Sequence, residues 1–371
     1  MYLQKGLLGL GLSFSLFTIG AAYSCTNITV KAKDGTIMIG RTMEFGPSLQ
    51  SRLMNSPRQK QFQTARVNGD KTKQWKSQYG YLFADYFGSG LTVDGMNEKG
   101  LSFGYLYLPG YTTYPTVAKE QNDNALPYTH FGDWVLGNFA SVKEVKEALN
   151  QIHIYAEPIS MQGNAPVILP AHATISDKTG ESIVVEFIDG QMVVSDNKLG
   201  ILTNSPTFNW QLTNLKNYAN LSPYSPAPVI IDEITYSGTG QGSGLVGLPG
   251  DPTPPSRFVK VAALQQYSMP VDDAGSALIL AQHILNNVDI PLGLVRGDKS
   301  NAPDTMDKTQ WTVYKDLKNS LLYYRSYTNP TIQSIDLNKI DWNVTKQFAL
   351  PMEEKPIIPD ATEKFLQSTV K

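Results

Sequence analysis

Cysteine is almost missing from this chain: of 371 residues, only Cys25 carries a thiol. A single cysteine excludes an internal disulfide and any metal site built on paired thiolates. Histidine is nearly as sparse, at four: His130, His153, His172 and His283. They form no His-Glu-x-x-His and stand at no ligand spacing, which argues against zinc. None lies in a recognisable cysteine-protease context either. An excess of charge of one sign is also lacking. The 31 basic and 33 acidic residues leave a net charge of −2, which argues against nucleic acid as a partner. Beyond the leader no apolar run approaches the roughly 20 residues that span a bilayer, so no membrane span is expected in the mature chain. There is no internal repeat and no low-complexity tract.

What is present begins with a leader. Lys5 gives a positive start, Gly6 to Gly20 is an apolar run, and Ala22 and Ser24 are small residues at the −3 and −1 positions of a cut before Cys25. Residues 1–24 therefore read as an export signal, and 25–371 as a single domain in the periplasm or outside the cell. A bacterial lipoprotein is also cut before cysteine, but usually with Leu at −3 and a small residue at −2, where this chain has Ala22 and Tyr23. The rival reading is a lipid-anchored, non-catalytic binding protein acylated on Cys25. A free thiol in an oxidising compartment is a hazard unless it is used or buried.

The stretch from Cys25 to Lys31 alternates polar and apolar residues, as does Ile37 to Met43, and Lys33-Asp34-Gly35-Thr36 between them predicts a hairpin. With Asp34 and Gly35 as a two-residue loop, Cys25 pairs with Glu44, and Arg41 reaches the thiol only if the second strand bulges or ends near Thr42. The basic stretch 50–76 predicts a solvated loop or ribbon. Two strands are expected around the Asp94–Gly100 turn, and helical spacing covers Phe131 to Ile152, with Ser141 and Glu144 as a capping box that begins a second helix. A meander of three strands follows over 171–195, then a strand at Ile201–Asn204 and a short helix over 212–221. The Gly-, Ser- and Pro-rich segment 237–255 is a linker or an ordered loop over a site. Helices are expected after Arg257 and over 272–286, and an antiparallel pair near 310–327. That order suits helix layers on antiparallel sheets.

Hydrolysis by cysteine needs a thiolate, a proton acceptor and donors for an oxyanion. At a free N-terminus the α-amino group, with a pKa of about 7.7–8.0, is a base close to neutrality, and a nearby arginine favours the thiolate.

Several blocks now gain meaning together: Cys25-Thr26-Asn27, Lys33-Asp34-Gly35, Gly40-Arg41-Thr42-Met43-Glu44, Asp94 through Leu101, Leu108-Pro109-Gly110-Tyr111, Thr203 through Leu212, and Gly247 through Asp251 with Ser256-Arg257-Phe258. In order and spacing the chain resembles the choloylglycine hydrolases, the family of bile salt hydrolases and penicillin V acylases. The resemblance implies an α+β fold of the N-terminal nucleophile hydrolase type, a four-layer αββα sandwich of two antiparallel sheets between helix layers. It implies Cys25 as nucleophile with its α-amine as base, Arg41 beside the thiol, and Glu44 where the family usually has an aspartate holding the amine. Asn204 and the backbone N–H of Tyr107 would form the oxyanion hole, and Arg257 would be a second arginine near the nucleophile. Bile salt hydrolases usually have asparagine at the position of Tyr107, and penicillin V acylases often tyrosine, which tilts the expected substrate towards penicillin V. The implied partner is a small-molecule amide, with no cofactor and no metal, and a homotetramer is expected by the same analogy.

Overall fold

A computed structural model describes residues 24–159, 166–297 and 306–368; apart from Ser24, the leader lies outside the described residues. Among these, two antiparallel sheets carry the fold. The smaller runs Gln333–Asp336, Leu321–Ser326, Met306–Asp316, Ile37–Phe45, Cys25–Lys31 from edge to edge, with Val295–Arg296 paired to Met306–Asp316. The larger runs Gln191–Asp196, Ser182–Ile188, Ala171–Asp177, Leu101–Tyr107, Asp94–Asn97, Tyr81–Ala84, Arg52–Ser56, Ala349–Pro351. Helices Phe131–Asn138 and Val142–Leu149 pack on the larger sheet, and Pro254–Tyr267 and Ala274–Asn286 on the smaller. These are the four αββα layers that the resemblance implies. Ile37–Phe45 lies inside its sheet and is buried along its whole length, so polar residues in it face protein on either side and need partners there.

Local chemistry sets the helix ends. The Ser141 hydroxyl accepts from the Glu144 N–H at 3.3 Å, so the stretch from Phe131 is two helices, as the capping signal indicates. Pro254 and Pro255 occupy the first turn of their helix, where a missing N–H costs nothing. The Asp273 side chain accepts from the Ser276 N–H at 2.8 Å. Residues 237–253 run as a loop, with one 3-10 turn at Ser243–Leu245, into the helix that carries Arg257.

Three sequence expectations are corrected. Cys25 pairs with Met43, not Glu44. The loop has three residues, Lys33, Asp34 and Gly35, closed by the Ala32 N–H donating to the Thr36 carbonyl at 2.9 Å. Gly35 at φ +86° supplies the left-handed turn that admits the third residue. The one-residue change turns Arg41, paired with Asn27, to the same face as Cys25 without a bulge in its strand. The irregularity falls in the neighbour instead, where the pairing of Met306–Asp316 with Ile37–Phe45 shifts between Thr309 and Trp311. The expected strand at Ile201–Asn204 is a single bridge, Leu202 to Asn27, because the chain there turns away to place Asn204. The basic stretch contributes Arg52–Ser56 to the larger sheet and a ribbon, Gln61–Ala65 with Lys71–Lys76.

Candidate active site

Cys25 opens the edge strand of the smaller sheet and is 3 % exposed. Its backbone nitrogen and its sulfur meet different groups. The N–H donates to Asn204 Oδ1 at 2.6 Å, while Arg41 Nη2 lies 3.5 Å from Sγ and Met43 Sδ 3.8 Å. Ser24 still precedes Cys25 in this chain, and its carbonyl accepts the Glu44 N–H at 2.9 Å. Burial pushes the thiol pKa up, opposed by the guanidinium of Arg41.

Strand alternation divides the partners. On the inter-sheet face, Arg41 Nη2 donates to the Tyr105 carbonyl at 2.6 Å, and its guanidinium lies 4.8 Å from the Trp311 ring centre. Asp94 Oδ2 is 3.8 Å from Arg41 Nε, and Asp94 Oδ1 is 2.7 Å from Lys315 Nζ. On the helix-facing side, Arg257 Nη1 donates to the Cys25 carbonyl and to Thr26 Oγ1, each at 2.6 Å. Its Nη2 donates to Asn204 Oδ1 at 2.7 Å and its Nε to the Pro252 carbonyl at 2.9 Å. Asn204 Nδ2 donates to the Tyr107 carbonyl at 2.8 Å.

Glu44 faces away from the thiol. Its Oε1 accepts from Thr309 Oγ1 at 2.8 Å, and burial raises its carboxyl pKa to about 7 despite Arg257. Asp307 nearby is likewise raised to about 7 by burial.

The five other residues singled out in the sequence therefore gather around Cys25: Arg41, Asn204 and Arg257 in direct contact with it, Tyr107 through Asn204, and Glu44 through its backbone N–H and Ser24. Sequence reasoning missed Asp94, Thr309, Asp307, Trp311 and Lys315. Asp94 lies inside a quoted block, whereas Lys315 is one residue of an alternating strand with no signal of its own. Three of the histidines are engaged elsewhere: His130 pairs with Asp133, His153 meets Gln121, and His172 lies between Glu186 and the Thr203 carbonyl. Among the described residues no group of His, Cys, Asp or Glu is arranged to hold a metal ion.

Cys25 and Arg41 lie at the base of a cleft lined by Phe45, Leu49, Tyr86, Phe87, Tyr128 and Leu169, among others. It holds about 650 Å³ of empty space, solvent at its mouth included, a size usual for small-molecule sites. A recessed thiol beside the Arg41 guanidinium, with Arg257 bracing the backbone behind it, an amide donor close by and apolar residues lining the cleft, suits attack on a carbonyl whose acyl part is bulky and apolar.

Known proteins agree with that chemistry. The bile salt hydrolase/transferase of Clostridium perfringens is 40% identical over 332 residues, covering 87% of this chain and 96% of the relative. A crystal structure of a mutant conjugated bile acid hydrolase from the same organism superposes with a TM-score of 0.79 at 35% identity, covering 91% of this chain and 99% of that one. The penicillin V acylase of Agrobacterium tumefaciens superposes with a TM-score of 0.70 at 25% identity, covering 88% and 91%. Residues 25–349 match the sequence model of the choloylglycine hydrolase family. The chain belongs to that family of linear amide C–N hydrolases, and is an amidase of the bile salt hydrolase and penicillin V acylase type.

Proposed function

We propose that this protein is exported, is cut before Cys25, and hydrolyses linear amides with Cys25 as an N-terminal nucleophile. One observation carries the reading: the nitrogen and the sulfur of Cys25 point to separate partners, Asn204 and Arg41, at the base of an apolar cleft. With Ser24 removed, that nitrogen becomes an amine, the nearest base to its own thiol. The amine takes the thiol proton, and the thiolate attacks the amide carbon. Asn204 Nδ2, which has a second hydrogen besides the one given to the Tyr107 carbonyl, and the Tyr107 N–H receive the oxyanion; each such donor is worth about 2.7–4 kcal/mol. The C–N bond breaks as the ammonium gives its proton to the leaving amine, leaving a thioester. The neutral amine then takes a proton from water, the hydroxide adds to the thioester carbon, and the C–S bond breaks; the acyl group leaves as a carboxylic acid and the ammonium returns its proton to the Cys25 thiolate.

Conjugated bile salts are the favoured substrates, because the cleft walls are aromatic and aliphatic and a bile salt hydrolase/transferase is the 40% identical relative. Tyr107 keeps penicillin V as the second candidate. Incubation of the processed protein with glycine- and taurine-conjugated bile salts and with penicillin V, beside Cys25→Ala, tests this. Release of glycine or taurine by the wild type alone supports the reading, and turnover by Cys25→Ala refutes it. Mass spectrometry of the processed N-terminus tests the export step: a bare Cys25 is expected, and a diacylglyceryl adduct or another start site overturns it. Self-association is part of the same proposal. The hairpin Val229–Ile231 with Ile234–Tyr236 exposes five apolar side chains, more than a solvated ribbon needs. Ile230→Asp should shift a tetramer to smaller species in light scattering.

A further inference from the structure

Behind Arg41 lies a buried charge arrangement that the proposed reaction does not use. Arg41 Nε and Asp94 Oδ2 face each other at 3.8 Å, and neither has a hydrogen-bond partner among the described residues. A guanidinium and a carboxylate normally close to about 2.7–2.9 Å, so a gap of roughly 1 Å stays open between opposite charges in a dry interior. The other carboxylate oxygen shows why. Asp94 Oδ1 is bound at 2.7 Å by Lys315 Nζ, which is fully buried and, among the described residues, has only the Phe103 carbonyl, at 3.4 Å, as a further contact. Gly104 leaves the room this needs, since a Cβ there would lie 2.8 Å from Asp94 Oδ2.

We propose that Lys315 is a positioning residue for the thiol: by holding Asp94 it keeps that carboxylate from capturing Arg41, so that the guanidinium charge stays on Cys25. The charge count agrees. With Lys315 present, Arg41, Asp94 and Lys315 sum to one positive charge beside Sγ. Without it, Asp94 cancels Arg41 and can close on Nε, drawing Nη2 from a sulfur it reaches only at 3.5 Å. The other charged groups that act on the thiol, Arg257 and Glu44 from the helix-facing side, and Asp307 beyond Arg257, are the same in either case. Burial lowers the pKa of Lys315, and Asp94 works against that shift, consistent with an ammonium that depends on this one carboxylate. The inference rests on the reading of Cys25 as nucleophile, but its test reads the thiol directly and needs no substrate.

The test is the rate of Cys25 alkylation by iodoacetamide across pH in the processed protein. Lys315→Met should raise the apparent thiol pKa by about one unit, slowing alkylation about tenfold below it. The double variant Lys315→Met/Asp94→Asn removes captor and competitor together and should return within about fivefold of wild type. That pair of opposed changes separates positioning from a folding role, which would make the double variant the worse. A wild-type profile for Lys315→Met overturns the proposal. So does a double variant slower than about fivefold below wild type, and this comparison stands even if Lys315→Met alone does not fold.

Discussion

The two arginines on either side of Cys25 are both buried, yet they are bonded in opposite ways. Arg257 has all three of its nitrogens in hydrogen bonds, and these tie together the Pro252 carbonyl, the first two residues of the edge strand and the side chain of Asn204. Arg41 has one strong bond, to the Tyr105 carbonyl, and a long approach to Sγ; its Nε and Nη1 have no hydrogen-bond partner among the described residues. A buried guanidinium is costly to desolvate, so a cation left this incompletely paired must have its return elsewhere. Arg257 is a strut whose energy goes into geometry. In the proposed mechanism Arg41 is the charge source, held by a carbonyl and an indole face, whose energy goes into the thiolate.

The sharpest way to break that contrast is Arg257→Met. It leaves the Cys25 and Pro252 carbonyls and Thr26 Oγ1 without their donor and frees Asn204 to rotate. With each buried unsatisfied group worth about 1–3 kcal/mol, stability should fall by about 3 kcal/mol or more. Amide hydrolysis should fall at least about a hundredfold, because the proposed oxyanion donor goes with it. Urea denaturation and kcat/KM should therefore drop together. A variant stable within error of wild type would end the strut reading.

Arg41→Met should separate the two measurements. It gives up one good hydrogen bond and leaves Asp94 paired to Lys315, so the stability cost should be about 1 kcal/mol. The thiol, already pushed up by burial, loses the cation that most opposes that shift. Alkylation near neutral pH should slow at least about tenfold, with kcat falling and KM little changed. If Arg41→Met unfolds as readily as Arg257→Met, the two residues do one job and the contrast is lost.

The same contrast marks what could be read before the fold was known. Period-2 alternation and turn residues gave the Cys25 hairpin, the pair around the Asp94 turn, the 171–195 meander and the closing pair near 310–327, but not the short strands Arg52–Ser56, Tyr81–Ala84, Gln333–Asp336 and Ala349–Pro351; a capping serine gave the break between the first two helices. Cys25, Arg41, Asn204 and Arg257 were legible because each lies in a recognisable block. What stayed hidden depends on single-residue registers and on side chains crossing between sheets. Asp34-Gly35 reads equally well as a two- or a three-residue loop, and the difference decides which face Arg41 occupies. Lys315 meets Asp94 across 221 positions of sequence; alternation places it on a face but says nothing of what it opposes.

Glu44 gives a test confined to pH dependence, with no catalytic change asked of it, because it lies on the strut side of Cys25. Its folded-state pKa is raised to about 7, chiefly by burial, against about 4.3 in an unfolded chain. For an acid shifted upward, the folded state binds the extra proton between those values. Its contribution is therefore fully present below about pH 4.3 and is lost as pH rises through about 7. A shift of that size corresponds to about 4 kcal/mol lost by about pH 8. A glutamine side chain cannot ionise, and its amide can still meet Thr309 Oγ1, so Glu44→Gln should flatten the fall in urea stability between about pH 5 and 8. Asp307, raised to a similar pKa beside the same arginine, should leave a residual slope. An unchanged slope would mean that Glu44 stays charged in the fold, and that Arg257 therefore offsets a buried carboxylate as well as bracing the strand. The strut would then be partly a charge source, and the line between the two arginines would have to be redrawn.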